Sequence, residues 1–295
     1  MNSVHNVSAA STAPSTAPST TSSAASLPSS AGALDPASSA AGQTLTFITG
    51  SSRGLGEALA RECLQAGHQV IGIARGRSEA LEQFARQNGH SLQQWQADLA
   101  EPLVIARHLG DWLRTQPADW ASVNLINNAG VIPAPGPTEA QTLEVLSSAL
   151  RVGLEATLLI SAAFLDATGH WVGHRRILNI SSGLGRRAMA GLAVYCAAKA
   201  GMDNLSRAMA LDEEVKASQG RPSARVVSLA PGIINTDMQA TIRGGGPEGF
   251  PDRDRFVAFE TEGQLASAAD TACKVLAWLS RQDFGQQVLA DVRDA

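Results

Sequence analysis

The sequence predicts an α/β fold in which about seven parallel strands form a doubly wound sheet with helices on both faces. Short apolar runs alternate with longer segments of helical pattern, which is typical of repeated βαβ units. The first run ends in a glycine-rich turn that leads into a helix, as in sheets that bind ligands at the carboxyl ends of their strands. The predicted strands are Thr44–Thr49, Gln69–Ala74, Ser91–Gln96, Val123–Ile126, Arg176–Ile180, Arg225–Leu229 and Gln286–Val292.

The 295 residues divide by composition into two parts. Residues 1–43 are rich in Ser, Thr, Ala and Pro and contain no Lys, Arg, Asp or Glu before Asp35. Such a segment cannot bury enough apolar surface to offset the loss of conformational entropy, so we expect a disordered tail. Residues 44–295 are long enough to form a single catalytic domain with a large core.

Charge and cysteine content argue against several classes of protein. A net charge of −4 without basic runs argues against a nucleic-acid partner. Cys63, Cys196 and Cys273 are scattered and odd in number, which indicates a reduced cytoplasmic protein rather than a disulfide framework or a metal site. The chain does not begin like a signal peptide, and we expect no apolar stretch of the ~18 residues that a membrane span needs.

The glycine-rich turn comprises Thr49–Gly56. Here Gly50 permits a tight turn, Gly54 a close approach to phosphate groups, and Gly56 close packing of helix on strand. A strand, such a turn and a helix place backbone N–H groups and a helix N-terminus against a pyrophosphate. An ordinary βα turn is the alternative, but the buried strand that follows the helix favours dinucleotide binding.

The end of the second strand indicates which dinucleotide binds. NAD sites usually have a carboxylate there that binds the ribose hydroxyls. This chain instead has Ala74 followed by Arg75, with Arg77 close by and Arg53 inside the glycine-rich turn. Guanidinium groups suit the 2′-phosphate of NADP(H), which they bind through charge-assisted hydrogen bonds. The alternative is that Arg75 and Arg77 are solvated turn residues.

Two later strands also end in small polar residues. Asn127–Gly130 follows the fourth predicted strand, and Asn179–Gly183 follows the run Arg176–Leu178 and covers the end of the fifth. Both segments lie where open α/β sheets bind their ligands. Within the second segment, the hydroxyl of Ser182 can hydrogen-bond a substrate carbonyl. Polar residues of this kind also form ordinary turns, so neither segment is decisive by itself.

Tyr195, the only tyrosine of the chain, lies four residues before Lys199 in a segment of helical pattern. Residues four apart share one face of a helix. An ammonium group ~4 Å from a phenol, at an effective dielectric constant of ~20, favours the phenolate by ~4 kcal/mol, or about three pKa units. We therefore expect Tyr195 to donate a proton near neutral pH. For this pair alone, a core tyrosine beside a surface lysine is the alternative.

Together these motifs resemble the short-chain dehydrogenase/reductase family, whose catalytic set is matched by Ser182, Tyr195 and Lys199. The resemblance covers the chain from about Thr44 to its end. It implies a Rossmann-like fold, a nicotinamide cofactor, here NADP(H), and interconversion of carbonyl and alcohol groups in a small molecule. The implied cofactor contacts are Thr49, Gly50, Ser52, Arg53, Gly54, Leu55, Gly56, Arg75, Asp98, Leu99, Asn128, Ala129, Gly130, Tyr195, Lys199, Pro231, Gly232, Ile234 and Thr236.

The last third of the chain shows a finer resemblance. The stretch Pro231–Gln239 is similar to the corresponding stretch of sepiapterin reductases and bacterial benzil reductases. Sepiapterin reductases carry a pterin-binding aspartate in the last strand. That position falls on Leu289 here, and Asp291, two residues on, shares its face of the strand. A pterin, a diketone and an aromatic ketone therefore all remain open as substrates.

Three further features qualify the resemblance. An asparagine that the family usually carries in the helix before the catalytic serine falls on Gly153, which can keep a helix distortion but supplies no amide. In the family, long helices like those around Glu139–Leu165 and Val194–Ser218 pair two subunits, which implies a homodimer or another homo-oligomer. We expect the loops Ala188–Leu192 and Gln239–Phe259 to form the substrate pocket.

The resulting hypothesis is NADPH-dependent reduction of a small ketone or diketone. In it, Tyr195 protonates the carbonyl oxygen, Ser182 polarises it, and Lys199 lowers the phenol pKa and holds the nicotinamide ribose. A 3-oxoacyl-thioester reductase and a hydroxysteroid dehydrogenase would use the same residues. The alternative of another class is a catalytically silent dinucleotide-sensing protein, against which the intact catalytic set argues.

Overall fold

The computed structural model describes residues 42–246 and 248–294, and within them seven parallel strands form one sheet. The tail predicted for residues 1–43 lies outside the described residues up to residue 41. The strands are β1 (Thr44–Thr49), β2 (Gln69–Ala74), β3 (Leu92–Gln96), β4 (Ser122–Asn127), β5 (His174–Ile180), β6 (Arg225–Ala230) and β7 (Leu289–Asp291). Their order, β3-β2-β1-β4-β5-β6-β7, confirms the predicted doubly wound α/β sheet.

Helices cover both faces of this sheet. The strand residues Leu45 and Phe47 point into one apolar core, while Ile48 belongs to the other. Because each fully buried Leu, Ile or Phe side chain contributes ~1.5–3 kcal/mol, both faces must be covered. The helices in the described part of the chain are α1 (Gly54–Gln65), α2 (Glu79–Asn88), α3 (Pro102–Arg114), α4 (Leu143–Leu150), α5 (Ala156–Ala167), α6 (Ala193–Ser218), α7 (Asp237–Arg243), α8 (Arg253–Thr261) and α9 (Ala268–Ser280).

The direction of winding reverses at β1, which pairs with β2 on one side and with β4 on the other. Connections from the two neighbouring strands therefore diverge at the carboxyl edge of the sheet and leave a crevice there. The glycine-rich turn after β1 and the polar segments after β4 and β5 all reach this edge. The topology thus brings together segments that are far apart in the sequence.

The last strand is shorter than predicted. Leu289–Asp291 pairs with residues 228–230 of β6, whereas residues 286–288 lie outside the strand. Gly285 has a φ of +92°, and the N–H of the next residue donates to the carbonyl of Asp283 at 3.0 Å. This turn directs the backbone away from the ladder, so regular pairing begins only at Leu289.

The segment 239–259, predicted to be a loop, is largely helical because it contains most of α7 and α8. The two helices are separated by a turn that contains three consecutive glycines. A Cβ atom on Gly245 would lie 3.0 Å from Cβ of Pro135, so the absent side chain allows this turn to pack on the loop after β4. The loop prediction was wrong here because α7, with seven residues, is too short to show a helical period in the sequence.

One helical segment corrects the expectation that no apolar stretch is long enough to span a membrane. Leu143–Ala167 has 25 residues and a mean hydropathy of 1.5 over its most apolar window, which meets the usual length and composition criteria for a span. It runs from α4 through a π-helical turn, Arg151–Glu155, into α5. In the fold, Ile160 and Phe164 of this segment are fully buried in the core. A helix that fills a core meets the same criteria as a span.

Candidate active site

A cleft with a volume of about 490 Å³ opens at the carboxyl edge of the sheet. Nearly every residue predicted to bind a cofactor or to take part in catalysis lies on its wall. These are Gly50, Ser52, Arg53, Gly54, Leu55, Gly56, Arg75, Asp98, Leu99, Asn128, Ala129, Gly130, Ser182, Tyr195, Lys199, Pro231, Gly232, Ile234 and Thr236.

Thr49 is the exception among these residues. It is buried and lies behind the cleft wall, where its hydroxyl accepts hydrogen bonds from the N–H groups of Asn128 and Ala129, both at 3.0 Å. The side-chain amide of Asn128 in turn donates to the backbone carbonyl of Thr49 at 3.0 Å. Thr49 therefore joins the ends of β1 and β4 and supports the residues that do line the cleft, and its role as a cofactor contact stays a prediction.

The glycine-rich turn has the shape that an anionic ligand needs. Gly50 and Gly54 have φ angles of +70° and +58°, a region that favours glycine. At Gly56 a Cβ atom would lie 2.1 Å from the carbonyl oxygen of Gly50, so a side chain there would break the contact between helix and turn. The first turn of α1 has no side-chain cap. Its free N–H groups and the positive end of the helix dipole fit a pyrophosphate.

Two of the three arginines predicted to lie near a 2′-phosphate line the cleft. Arg75 is exposed there and forms no ion pair within the described residues. Arg53 lies 2.9 Å from the carboxylate of Asp237, and both side chains are largely exposed. Arg77 instead pairs with Glu82 at 3.4 Å and does not line the cleft. Arg75 and Arg53 are thus the guanidinium groups available to a 2′-phosphate.

The predicted catalytic residues converge at the centre of the cleft. Ser182, which follows β5, lies beside the phenol of Tyr195 and lowers the pKa of that phenol by hydrogen bonding, and its Oγ accepts the N–H of Leu184 at 3.1 Å. The Nζ atom of Lys199 lies 5.9 Å from the centre of the Tyr195 ring and donates to the carbonyl of Ile180 at 2.6 Å. The carboxyl end of β5 therefore positions both the serine and the lysine.

The pKa of Tyr195 differs from the expectation drawn from its spacing to Lys199. Burial raises the pKa of this phenol, and only the hydrogen bond from Ser182 opposes the increase. Burial also lowers the pKa of Lys199 to about 8, against the attraction of Asp203. The four-residue spacing places Tyr195 and Lys199 on one face of the helix, as expected. The lowered phenol pKa expected from that spacing leaves out desolvation, which raises the pKa of a buried phenol. Tyr195 is consequently protonated at neutral pH, the state that a proton donor needs.

Gly153 lies inside the π-helical turn Arg151–Glu155 and is buried. A Cβ atom at this position would lie 3.1 Å from Cβ of Ala198, the residue before Lys199. The helix distortion expected for this position is therefore present, and the glycine allows α6 to approach it closely.

These residues can be compared with known proteins. The model of the short chain dehydrogenase family matches residues 44–245. The chain belongs to this family. Its members are oxidoreductases that act on CH–OH and C=O groups, and this chain is one of them.

Individual members of the short chain dehydrogenase family are similar over most of their length. A benzil reductase ((S)-benzoin forming) of Bacillus cereus is 32% identical over 241 residues, which cover 81% of this chain and 95% of the relative. A sepiapterin reductase of Bos taurus is 29% identical, with 86% and 96% covered. The crystal structure of a short-chain dehydrogenase/reductase from Burkholderia vietnamiensis is 31% identical, with a TM-score of 0.58 and 85% and 98% covered. Structures of similar fold include complexes with NADP and with NAD.

In this short chain dehydrogenase the part of the cleft beside Tyr195 combines an apolar wall with charged side chains. Leu184, Ile242 and Phe256 form a buried cluster with Tyr195. Sequence reasoning missed Arg187, Arg255 and Arg293, which also line the cleft. Of these, Arg255 lies over the ring of Phe259 at 5.4 Å from its centre, and Arg293 pairs with Asp291. No local motif marks these arginines, because loops and helices from distant parts of the chain bring them to the cleft.

Asp291, and not Leu289, lines the cleft in the last strand. Both of its carboxylate oxygens accept hydrogen bonds from the guanidinium of Arg293, at 2.8 and 2.6 Å. This hydrogen bonding with Arg293 holds the pKa of the Asp291 carboxyl below its usual value. The carboxylate is thus already neutralised by an arginine of the same chain.

No group of three or more His, Cys, Asp or Glu side chains within residues 42–246 and 248–294 is arranged to hold a metal ion.

Proposed function

We propose that this short chain dehydrogenase is an NADPH-dependent reductase of small ketones or diketones. The observation that carries the proposal is the convergence of Ser182, Tyr195 and Lys199 beside an apolar cleft wall. The wall formed by Leu184 and Phe256 suits an uncharged substrate of modest size. The similarity to a benzil reductase supports the same substrate class.

The cleft residues fit a nicotinamide dinucleotide, whose bound reduced form would supply the hydride. The uncapped N-terminus of α1 suits its pyrophosphate, and Arg53 and Arg75 suit a 2′-phosphate. We propose NADP(H) on the basis of these two arginines and of Ala74, which occupies the position where NAD sites place a carboxylate. The exposed carboxylate of Asp98 lies on the same wall, where it suits the adenine portion of the dinucleotide.

Each catalytic side chain has a separate task in this proposal. Tyr195, which is protonated at neutral pH, donates its phenolic proton to the carbonyl oxygen. Ser182 holds that oxygen and the phenol in one hydrogen-bonded arrangement. The ammonium of Lys199 stabilises the phenolate that forms, which requires a positive charge close to the phenol. Positioned proton transfer of this kind contributes ~10²–10⁴-fold to the rate.

Substitution of the tyrosine tests the proposal. Tyr195→Phe should lower the rate of NADPH-dependent reduction of benzil by at least ~10²-fold while NADPH binding, followed by cofactor fluorescence, remains. Cys196→Ala is the matched control, since the neighbouring residue lies on another face of α6 and should keep turnover. Comparable turnover in Tyr195→Phe would refute the assignment of the proton donor. Binding of NADPH without turnover on any carbonyl substrate would favour the sensor alternative.

The arginines at the cleft mouth favour a second candidate, a 3-oxoacyl-thioester reductase. Arg187 and Arg255 line the cleft and form no ion pair within the described residues. They suit the anionic portions of an acyl carrier, which a neutral diketone lacks. Assays of benzil, sepiapterin and an acetoacetyl thioester side by side separate the candidates. Sepiapterin is the least favoured of the three, because Arg293 already occupies the carboxylate of Asp291.

A homodimer is also part of the proposal. Leu143 and Leu158, on α4 and α5, are 78% and 44% exposed, and Leu211 and Val215, on α6, are 61% and 55% exposed. Exposed apolar side chains on neighbouring helices are typical of a covered interface. Light scattering of the purified protein measures its mass directly. The three free cysteines are compatible with the expected cytoplasmic location, which stays a prediction.

A further inference from the structure

A buried carboxylate behind the catalytic residues has no part in the proposed chemistry. Asp203 lies four residues after Lys199 on α6, and its side chain is only 4% exposed. The hydroxyl groups of Ser181 and Ser228 both donate to its Oδ1 atom, each at 2.6 Å. Its Oδ2 atom lies 3.4 Å from Nε of Arg186 and has no hydrogen-bond partner among the described residues.

The partners of Asp203 come from each segment that carries or adjoins the catalytic serine. Ser181 directly precedes Ser182 at the end of β5, and Ser228 lies in β6, the next strand of the sheet. Arg186 follows the turn after Ser182 and also donates to the carbonyl of Ala290 in β7 at 2.8 Å. One carboxylate on α6 thus joins the end of β5, a residue of β6 and the loop that holds the serine, and Arg186 links that loop to β7.

The space around this carboxylate is tightly filled. A Cβ atom on Gly185 would lie 3.0 Å from Oδ2 of Asp203 and 2.9 Å from the backbone oxygen of Lys199. The loop after Ser182 therefore rests directly on α6 between Lys199 and Asp203. A shift of the carboxylate would move both the serine loop and the lysine backbone.

Charge gives Asp203 a second role. Lys199 is 3% exposed, and burial disfavours its ammonium form. From α6 it faces Tyr195 and Asp203, and from β5 it faces the carbonyl of Ile180. Among these groups, only Asp203 is a carboxylate, and its attraction raises the pKa of Lys199. The guanidinium of Arg186 also pairs with this carboxylate, at 3.4 Å, so we expect its positive charge to offset part of that attraction.

We propose that Asp203 is a positioning residue that orients the Ser182 loop and keeps the ammonium form of Lys199 populated while phenolate develops at Tyr195. The proposal rests on the proposed reductase function for its catalytic consequence. Its electrostatic part concerns only groups of this chain, so it can be measured whether or not a carbonyl substrate is turned over.

The protonation of Lys199 can be measured directly because the chain contains few lysines. Lys199, Lys216 and Lys274 are its only lysines, so a protein labelled with ¹³C at the lysine Cε positions gives three signals to follow during a pH titration by NMR. The Lys199 signal is assigned by its loss in Lys199→Met. The titration reports the protonation of the ammonium group without any need for activity.

Three variants separate charge from hydrogen bonding. Asp203→Asn removes the charge and keeps the shape, so the titration midpoint of Lys199 should fall by about one pH unit or more. Arg186→Gln removes the opposing cation and should move the midpoint upward. Ser228→Ala removes one hydrogen bond but no charge, so it should lower the melting temperature and leave the midpoint within about 0.3 unit of wild type.

In each variant, the pH at which carbonyl reduction declines should shift in the same direction as the titration midpoint of Lys199. The ammonium form of Lys199 supports catalysis. The rate of carbonyl reduction should therefore fall as the pH rises through the titration of Lys199. This decline should move to lower pH in Asp203→Asn and to higher pH in Arg186→Gln. One pH unit corresponds to a ~10-fold loss of rate above the midpoint.

Several outcomes would overturn the proposal. An unchanged Lys199 midpoint in Asp203→Asn, or an equal shift in Ser228→Ala, would show that Asp203 is only structural. If Asp203→Asn does not fold, Arg186→Gln decides alone, and a midpoint that stays or falls contradicts the proposal. If wild type binds NADPH but reduces no carbonyl compound, the proposed function fails, while the NMR titration still decides the role of Asp203.

Discussion

Cofactor preference can be predicted from the surroundings of Arg75. This side chain is exposed on the cleft wall and forms no ion pair within the described residues, so it can contact a 2′-phosphate without first losing a partner. A guanidinium–phosphate contact contributes ~1.5–3 kcal/mol. At ~1.4 kcal/mol per factor of ten, Arg75→Ala should lower kcat/KM with NADPH by roughly 10–150-fold. Efficiency with NADH, which lacks the phosphate, should change little.

Arg53 should contribute less than Arg75, for a reason visible in the structure. Its guanidinium already lies 2.9 Å from the carboxylate of Asp237, and the two side chains are 72% and 78% exposed. An ion pair exposed to this degree contributes only ~0–1 kcal/mol, because water and salt screen it. Asp237→Asn should therefore improve NADPH binding by no more than ~5-fold, the equivalent of that energy.

The assay is steady-state kinetics with both cofactors on one ketone substrate. Wild type should favour NADPH over NADH by at least about tenfold, and combining Ala74→Asp with Arg75→Ala should narrow or reverse the preference. Arg77→Ala is the matched control, since Arg77 pairs with Glu82 away from the cleft and should leave the ratio unchanged. Equal use of NADH by wild type, or an effect of Arg77→Ala as large as that of Arg75→Ala, would refute the reasoning.

Two further predictions concern glycines near the site. Gly56→Ala would place a Cβ atom 2.1 Å from the carbonyl oxygen of Gly50, and overpacking of this kind costs ~1–3 kcal/mol, or roughly 2–12 °C in Tm. Gly76→Ala, whose Cβ atom would meet nothing within 4 Å, is its control in thermal unfolding, and an equal loss in both would contradict the packing argument. Gly153→Asn needs a shift of a few tenths of an ångström from Ala198, now 3.1 Å from the new Cβ atom, so we expect a slightly lower Tm with similar or raised turnover. An inactive, folded Gly153→Asn would show that the helices cannot adjust.

Patterns within short segments were sufficient to predict much of the fold and the candidate site. The glycine-rich turn, the apolar runs and the spacing of Tyr195 and Lys199 are each contained in about a dozen residues or fewer, and local geometry alone places such groups on one face or in one turn. The resemblance to the family, and not a local pattern, implied a helix distortion around Gly153, which the structure has as a π-helical turn. The alternation of strands and helices also predicted a parallel, doubly wound sheet, whereas the order of its strands follows only from the structure.

Contacts between segments far apart in the sequence determined the features of the site that local patterns did not predict. Arg53 and Asp237 are 184 residues apart, and the ion pair between them follows only from the packing of α7 beside the glycine-rich turn. The buried position of Thr49, the short β7 and the pairing of Asp291 with Arg293 within the cleft wall depend in the same way on how strand ends meet. The pKa of Tyr195 is the clearest case. Its spacing to Lys199 is local, but desolvation depends on every element packed around the phenol, and only the tertiary structure brings those elements together.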